Sequence, residues 1–373
     1  MTTQKSNGRV DNATTGDIII VESGTYHENV IVDKQLILRG VDTGFGRPVI
    51  DANYLGSPVT LSADGITLEG FEVRHSGEVL GSFDCGIKVW FSNGNVVRNN
   101  TIRNNFDGIL NWNSNNSTIT SNTVINNHHF GITSCVGSSN NITGNTVSNN
   151  DYEGVYPYKS SGNKIYLNNF INNADNVRSY ESTNIWNSTE IIKYKYKEEE
   201  YKNYLGNYWS DHDCVDRNGD GICDDAYGID GDWDYRPLVE PFNAPPSVEI
   251  ATDKDEYEAG DVMRISITLR NPPTGITLED SPTEERDVVF RWWLEFPDYG
   301  LSFSVVETML TLPVGYERVF TLRWTLPDFG VSFHATWHVA LYDAETLGLL
   351  SEDTADWWFV GRGARVHQHS FQK

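Results

Sequence analysis

Ten consecutive residues carry the sharpest chemistry in the chain. Asp216-Arg217-Asn218-Gly219-Asp220-Gly221-Ile222-Cys223-Asp224-Asp225 fits D-x-N-x-D-G-x-x-D, the first nine positions of an EF-hand-like calcium loop. Alternate side chains at Asp216, Asn218 and Asp220 can converge on one ion because Gly221 permits the sharp turn. Ile222 would offer its carbonyl and Asp224 a further ligand. Position twelve is Tyr227 rather than Glu, so a bidentate ligand has to come from Asp225 or from elsewhere, such as Asp211 or Asp213. No helical pattern flanks the loop, and calcium is expected here in a structural role. Cys214 and Cys223 bracket the loop and could close a small disulfide, which suits an oxidising compartment. The alternative is an acidic, solvated turn without metal.

A second set of residues recurs at one offset. If Ile87, Ile109, Ile132, Val155 and Val177 point inward on successive strands, Lys88, Leu110, Thr133, Tyr156 and Arg178 point outward. So do Trp90, Trp112, Cys135, Tyr158 and Tyr180, an aromatic row interrupted once. Flat rings repeated at roughly 4.8 Å along an axis suit a polysaccharide or cell-surface glycan stacked on sugar faces. The competing reading is that a loop or domain covers them. For catalysis, Asp107, His129 and Glu153 lie near one corner of successive repeats, at offsets from glycine that differ. A polysaccharide lyase or epimerase acting on acidic glycans would need such acids and a base to converge. Cys85 and Cys135 lie two repeats apart, about 9.6 Å, beyond disulfide reach. They are expected free and partly buried. Copper handling is the functional alternative for them, with His128-His129 nearby in sequence.

These residues are positioned by a repeat. Gly86-Ile87, Gly108-Ile109, Gly131-Ile132 and Gly154-Val155 recur every 22 or 23 residues. Asn100, Asn122, Asn145 and Asn169 recur in phase, as do the doublets Asn104-Asn105, Asn126-Asn127, Asn149-Asn150 and Asn172-Asn173. A fixed period in the low twenties marks a stacked repeat, and β-branched pieces between Asn and Gly argue for strands. The pattern predicts a parallel β-helix of about seven coils from Asp17 to about Tyr180. Asn at corners would take the left-handed backbone conformation, so Asn145→Val is expected to cost roughly 1–2 kcal/mol. Residues 77–83 add length between registers and are expected to bulge as a loop. Ile191 to Tyr204 reads as a tyrosine-rich hairpin that caps the hydrophobic end of the solenoid.

Gly24-Thr25-Tyr26-His27-Glu28-Asn29-Val30, the Asn/Gly repeats, Leu205-Gly206-Asn207-Tyr208-Trp209-Ser210-Asp211, and Ile229-Asp230-Gly231-Asp232 with Arg236-Pro237-Leu238 together resemble NosD-type right-handed β-helix proteins. These are common on archaeal cell surfaces, often beside Ig-like modules. The resemblance covers roughly residues 17–243. It implies an all-β fold, a right-handed parallel β-helix, and an extracellular or cell-surface location. The family name derives from a periplasmic factor for a copper enzyme, while relatives sharing the repeat include carbohydrate epimerases and lyases. The Asp-Pro-His motif of mannuronan epimerases is missing.

Composition agrees. The chain has 28 basic and 52 acidic residues in 373, net −24, which disfavours nucleic acid and anionic membranes and suits divalent cations. No apolar run approaches a membrane span. Met1-Thr2-Thr3-Gln4-Lys5 has no apolar signal core, which fits a secretory leader trimmed or replaced. The expected organisation is an N-terminal segment (1–16), the β-helix (17–185), a capping hairpin and calcium-loop region (186–243), an Ig-like β-sandwich (244–362) and a disordered tail (363–373). The sandwich follows from longer alternating strands after a proline-rich linker. Its surface is a candidate contact for other surface proteins. Phe296 to Phe303 and Leu326 to Phe333 share Pro-Asp-x-Gly turn chemistry and should form similar bends.

Overall fold

A computed structural model describes residues 7–361, apart from 42, 44–46, 79–80, 198, 243–245, 272–275, 279–285, 314–315 and 345–348. The expected disordered tail therefore lies outside the described residues, as does the middle of the proline-rich linker. The chain forms two compact units: the first runs to residue 244 and takes back residues 274–282, and the second comprises 245–273 and 283–373.

The first unit is a parallel β-helix. Three-residue strands recur and each pairs with its counterpart one coil away, giving parallel sheets of eight, eight and seven strands. One inward column per sheet builds the core. Leu68, Val97, Ile119, Ile142 and Ile165 stack in the first. Val73, Ile102, Val124, Val147 and Phe170 stack in the second. Ile87, Ile109, Ile132, Val155 and Val177 stack in the third. All are buried in one cluster. Burying each such side chain stabilises the fold by roughly 1.5–3 kcal/mol relative to exposure, so the in-phase apolar pattern dictates the helix.

The corners correct the sequence reading in two ways. Among the asparagines of the repeat registers, the left-handed backbone falls on the first of each doublet, Asn104, Asn126, Asn149 and Asn172, at φ 54, 54, 52 and 52°. Asn100, Asn122 and Asn145 instead turn inward and form a buried ladder that continues through Asn168, not Asn169. Asn145 Nδ2 donates to Asn168 Oδ1 at 2.9 Å and to the Ile119 carbonyl at 2.9 Å. Its Oδ1 accepts from the backbone N and the Nδ2 of Asn122, both at 3.0 Å. Asn169 belongs to the neighbouring strand, opposite Thr146. Parallel ladders run through Asn105, Asn127, Asn150 and Asn173 and through Asn140, Asn163 and Asn184. The repeated glycines have a different cause from corner φ. A Cβ on Gly108 would sit 2.5 Å from the Gly131 carbonyl and 2.5 Å from Val124 Cγ1, so the coils approach too closely for any side chain.

Both ends are closed by unexpected devices. A short helix, Asn7–Asn12, brings Val10 into the core at the N-terminal end. At the other end the core cluster takes in Trp186, Trp209 and Ile229. The tyrosine hairpin forms as expected, Ile192–Tyr196 against Glu199–Asn203. It does not cap the helix core, however: Tyr194 and Tyr196 pack in a separate cluster with Leu205, Ile222 and Leu238. The cap is the hairpin of Tyr227–Ile229 and Asp232–Asp234. Each ladder rung donates toward the C-terminal end, so the last coil presents N–H groups that need acceptor-only partners. Three aspartates at alternate positions supply them. Asp230 accepts from Ser179 N at 2.9 Å and Asp232 from Asn184 N at 2.8 Å. Asp234 accepts from Asn207 N at 2.7 Å and Trp209 Nε1 at 3.0 Å. Burial pushes the Asp234 carboxyl up to about 6, against the pull of its N–H donors.

The second unit is a sandwich of a three-stranded and a five-stranded sheet around one core that includes Ile265, Ile267, Trp292, Trp337 and Trp357. Its longest strands are Leu301–Leu312 and Leu349–Val360. The two Pro-Asp-x-Gly bends both end in a left-handed glycine, Gly300 at φ 61° and Gly330 at φ 73°.

Two stability predictions follow from the ladders and the cap. Asn145→Val should destabilise the helix by about 2–4 kcal/mol, because it strands the Ile119 carbonyl and the Asn122 amide in a buried position. Asn149→Gly, at a true left-handed corner, should stay within about 1 kcal/mol of wild type. Denaturant titration of both variants checks this, and equal effects would contradict it. For Asp234, the folded value near 6 exceeds the unfolded value of 3.8. The folded chain therefore holds a proton in that window that the unfolded chain has lost. This group's contribution falls as pH rises from about 4 to about 6, by roughly 2–3 kcal/mol. Melts across that window should show Asp234→Asn losing this dependence relative to wild type.

Candidate carbohydrate-binding face

The outer face of the seven-stranded sheet carries the candidate residues in three columns. Cys85-Gly86, Asp107-Gly108 and Glu153-Gly154 begin equivalent strands, and Phe130-Gly131 stands just before the fourth, Ile132–Cys135. Beside them run Lys88, Leu110, Thr133 and Tyr156. The outermost column is Trp90, Trp112, Cys135, Tyr158 and Tyr180, in register as the sequence implied. Leu110 is buried although it faces outward, because Trp90, Trp112 and Tyr158 pack over a small cluster of Cys85, Leu110 and Cys135. Tyr180 is exposed and the other three rings are half-buried.

The rings do not all lie flat along the face. Trp90 and Trp112 stack on each other at 5.5 Å between centroids, and Tyr158 and Tyr180 at 5.3 Å with planes 8° apart. Most ring faces are therefore turned toward a neighbouring ring along the axis. Among the described residues no ring contact joins Trp112 to Tyr158; the coil between them contributes only Cys135 to this column. Phe83, from the inserted loop, leans on Trp112 at 4.8 Å and Trp90 at 5.9 Å. Sequence reasoning placed the loop but missed this ring, since nothing in the repeat marks it.

The three titratable residues singled out for catalysis divide into two pairs. His129 Nδ1 lies 2.7 Å from Asp107 Oδ1, and its ring is wedged against Phe106, Phe130 and Tyr152. Glu153 pairs instead with Arg178, at 3.5 Å through Oε1, and the same guanidinium lies over the Tyr156 ring. Two buried polar atoms on this face have no partner, Glu153 Oε2 and Thr133 Oγ1. Burial raises the Tyr156 hydroxyl above its ordinary value; Arg178 opposes this, and Cys135, Tyr158 and Glu153 add to it. Cys85 and Cys135 are free thiols, and burial pushes both up to about 12.

The acidic loop is built away from this face. Cys214 and Cys223 are joined, Cα to Cα 5.4 Å. Asp216 accepts from Gly219 N and Gly221 N, Asn218 Oδ1 from Asp220 N, and Asp220 Oδ1 from Ile222 N. Gly221 is required twice over: its φ is +83°, and a Cβ would lie 2.8 Å from the Tyr196 ring. The tyrosine hairpin braces the loop, Tyr194 and Tyr201 donating to the carbonyls of Asp220 and Gly219. Asp224 is held by Arg217 at 3.1 Å, and the Asp225 carbonyl lies 3.2 Å from His212 Nε2. Ile222 is buried against Leu238. Among the described residues, no three His, Cys, Asp or Glu side chains gather closely enough to hold a metal ion. Calcium would thus have to draw Asp224 off Arg217 and rely on Asn218 and backbone oxygens.

Three stacked parallel sheets around a single column of core side chains per sheet define a parallel β-helix protein. Residues 10–214, more than half of the chain, match the family described as periplasmic copper-binding protein (NosD), and the chain belongs to that family. No curated protein matches it. Among solved structures it is similar to the periplasmic alginate epimerase AlgG, at 20% identity over 40% of this chain and 37% of that one, TM-score 0.32. It thus spans little more than a third of the epimerase's length. A pectin methylesterase bound to a hexasaccharide matches at 8% identity over 55% of this chain and 82% of its own, TM-score 0.27. Tailspike protein 2 of bacteriophage CBA120 matches at 10% identity over 96% and 74%, TM-score 0.30. No helix among the described residues is long and apolar enough to cross a membrane.

Proposed function

We propose that this chain works outside the cytoplasm as a polysaccharide-binding β-helix protein, and that the ligand lies on the outer face bearing Trp90, Trp112, Tyr158 and Tyr180. The observation that carries the reading is the in-register outward column of large rings, on strands whose opposite ends carry the carboxylates of Asp107 and Glu153. Aromatic faces bind the apolar faces of sugars, and carboxylates accept from their hydroxyls. The periplasmic description of the family and the Cys214–Cys223 disulfide support the location. A lyase or epimerase would need acids and base at one point, whereas Asp107–His129 and Glu153–Arg178 are separate pairs. Copper handling is supported less, since both free thiols are buried in one apolar cluster with Leu110.

The test is affinity for soluble oligosaccharides of increasing length. Trp112→Ala and Tyr158→Ala should each weaken a long oligosaccharide by about tenfold. Circular dichroism of both variants should remain that of a folded β protein. Unchanged affinity in both would sink the proposal.

We further propose calcium as a structural ion in the loop of Asp216, Asn218, Asp220, Ile222, Asp224 and Asp225. The spacing of the first three ligand positions and the turn at Gly221 support it. Chelation should then lower the melting temperature, because an ion that binds only the folded state stabilises it by mass action. Asp220→Ala should abolish that sensitivity, and a wild-type melt indifferent to chelator would contradict the proposal.

A further inference from the structure

The sandwich of the second unit is open along one flank. Leu301–Leu312 ends the five-stranded sheet and Tyr316–Thr325 ends the three-stranded one. Among the described residues, each of these strands pairs with a neighbour on one side only. The register shows which of their side chains face the core, since directly opposed residues share a face. Phe303, Val306, Thr308 and Leu310 stand opposite Leu294, Trp292, Phe290 and Val288, all buried. On the other sheet, Phe320 and Leu322 stand opposite the buried Ile267 and Ile265. Core-facing residues here are nevertheless open to solvent: Phe303 is 55% exposed, Val306 37% and Leu322 39%. Between the two rows runs a cleft of about 240 Å³, and every residue lining it is apolar except Thr308.

This edge carries little of the protection that keeps sheets from pairing. Native edge strands are short, or hold lysine, proline or inward charges. Leu301–Leu312 is 12 residues long and contains no lysine, arginine or proline. A bulge at Val305 is its only irregularity. Glu307 is its one charge, and Arg291 lies 3.3 Å away. On the facing row the one charge is Arg318, near the connecting turn and over the Phe320 ring. Together the two strands hold Glu307, Glu317, Arg318 and Arg323, which sum to zero on a chain of net −24. Copies that repel through their overall charge therefore meet no excess of either sign at this flank.

We infer that the second unit pairs with a second copy of this chain, Leu301–Leu312 against Leu301–Leu312, joining two five-stranded sheets into one. An antiparallel pair about a two-fold axis normal to the sheet keeps both core-facing rows on the same side. Leu301, Phe303 and Val306 of both copies then line one shared core, which the two Tyr316–Thr325 edges close from the facing side. With the axis at or just after Val306, Glu307 meets Val305 or Val306 of the second copy and never its own counterpart. The strand spans about 40 Å at about 3.4 Å per residue. A flank about 20 Å wide, two sheets about 10 Å apart with their side chains, makes about 800 Å² per copy, the size of a standard stable interface. The strand is already extended in each copy, so pairing costs little ordering entropy. The inference is independent of the glycan-binding reading.

Sedimentation equilibrium of the full chain tests this. The wild type should show twice the mass of one chain at high concentration and the mass of one chain on dilution. Phe303→Lys puts a charge into the shared core and should weaken self-association at least tenfold. Because Phe303 is half exposed in one copy, the melt of the dilute variant should stay close to that of the dilute wild type. Hydrogen exchange of the wild type supplies a reading that needs no variant. Amides of residues 301–312 should exchange at least tenfold more slowly in the concentrated sample than in the dilute one. A chain that stays monomeric at every concentration overturns the inference, and the cleft then belongs to an extended segment of a different protein. A dimer in which residues 301–312 exchange equally at both concentrations, or which a folded Phe303→Lys variant forms as readily, overturns it as well.

Discussion

The stacked asparagine amides hold the register on which everything else in the first unit depends. An inward amide at Asn145 does three things at once: it satisfies a backbone carbonyl of the previous coil, receives the preceding rung and donates to the next. A buried corner otherwise leaves backbone groups without partners, which no apolar residue could repair. Because each rung is bonded to the one above and below, a slip of one residue in any coil would break bonds in two. That fixed register is what brings Trp90 over Trp112 and Tyr158 over Tyr180 from residues more than twenty positions apart.

The ladder also has a direction, and its end explains a stretch that would otherwise look decorative. Amide acceptors run out at the last coil, and Asp230, Asp232 and Asp234 meet the remaining N–H donors with carboxylates at alternate positions of one hairpin. A Cβ on Gly206 would collide with the Asp234 carboxylate at 2.0 Å, so Gly206 and Asp234 form one closed fitting. The tyrosine hairpin then becomes free for another task, bracing the acidic loop through Tyr194 and Tyr201.

The β-helix was legible in the sequence because period, core residue type and turn residues all repeat, so each coil is an independent reading of the same rule. The outward aromatic column was legible for the same reason. What the repeat could not convey was the role of asparagines four positions apart: Asn145 and Asn149 have the same side chain, but one is a ladder rung and the other a left-handed corner. The orientation of the rings was equally hidden, since register fixes where Cα atoms stand and not whether rings lie flat or stack. Features written once escaped altogether. Val10 at the N-terminal end, Phe83 in the inserted loop and the pairing of Arg178 with Glu153 have no repeat to announce them.

The central claim is that a carbohydrate occupies the outer face that bears the aromatic column. Hydroxyl-radical footprinting read by mass spectrometry, with and without a saturating oligosaccharide, tests it most directly. Trp90, Trp112, Tyr158 and Tyr180 should be protected, and Trp233, exposed on the capping hairpin, should not. Oxidation of Trp112 and Tyr158 that is unchanged by a bound oligosaccharide would contradict the account.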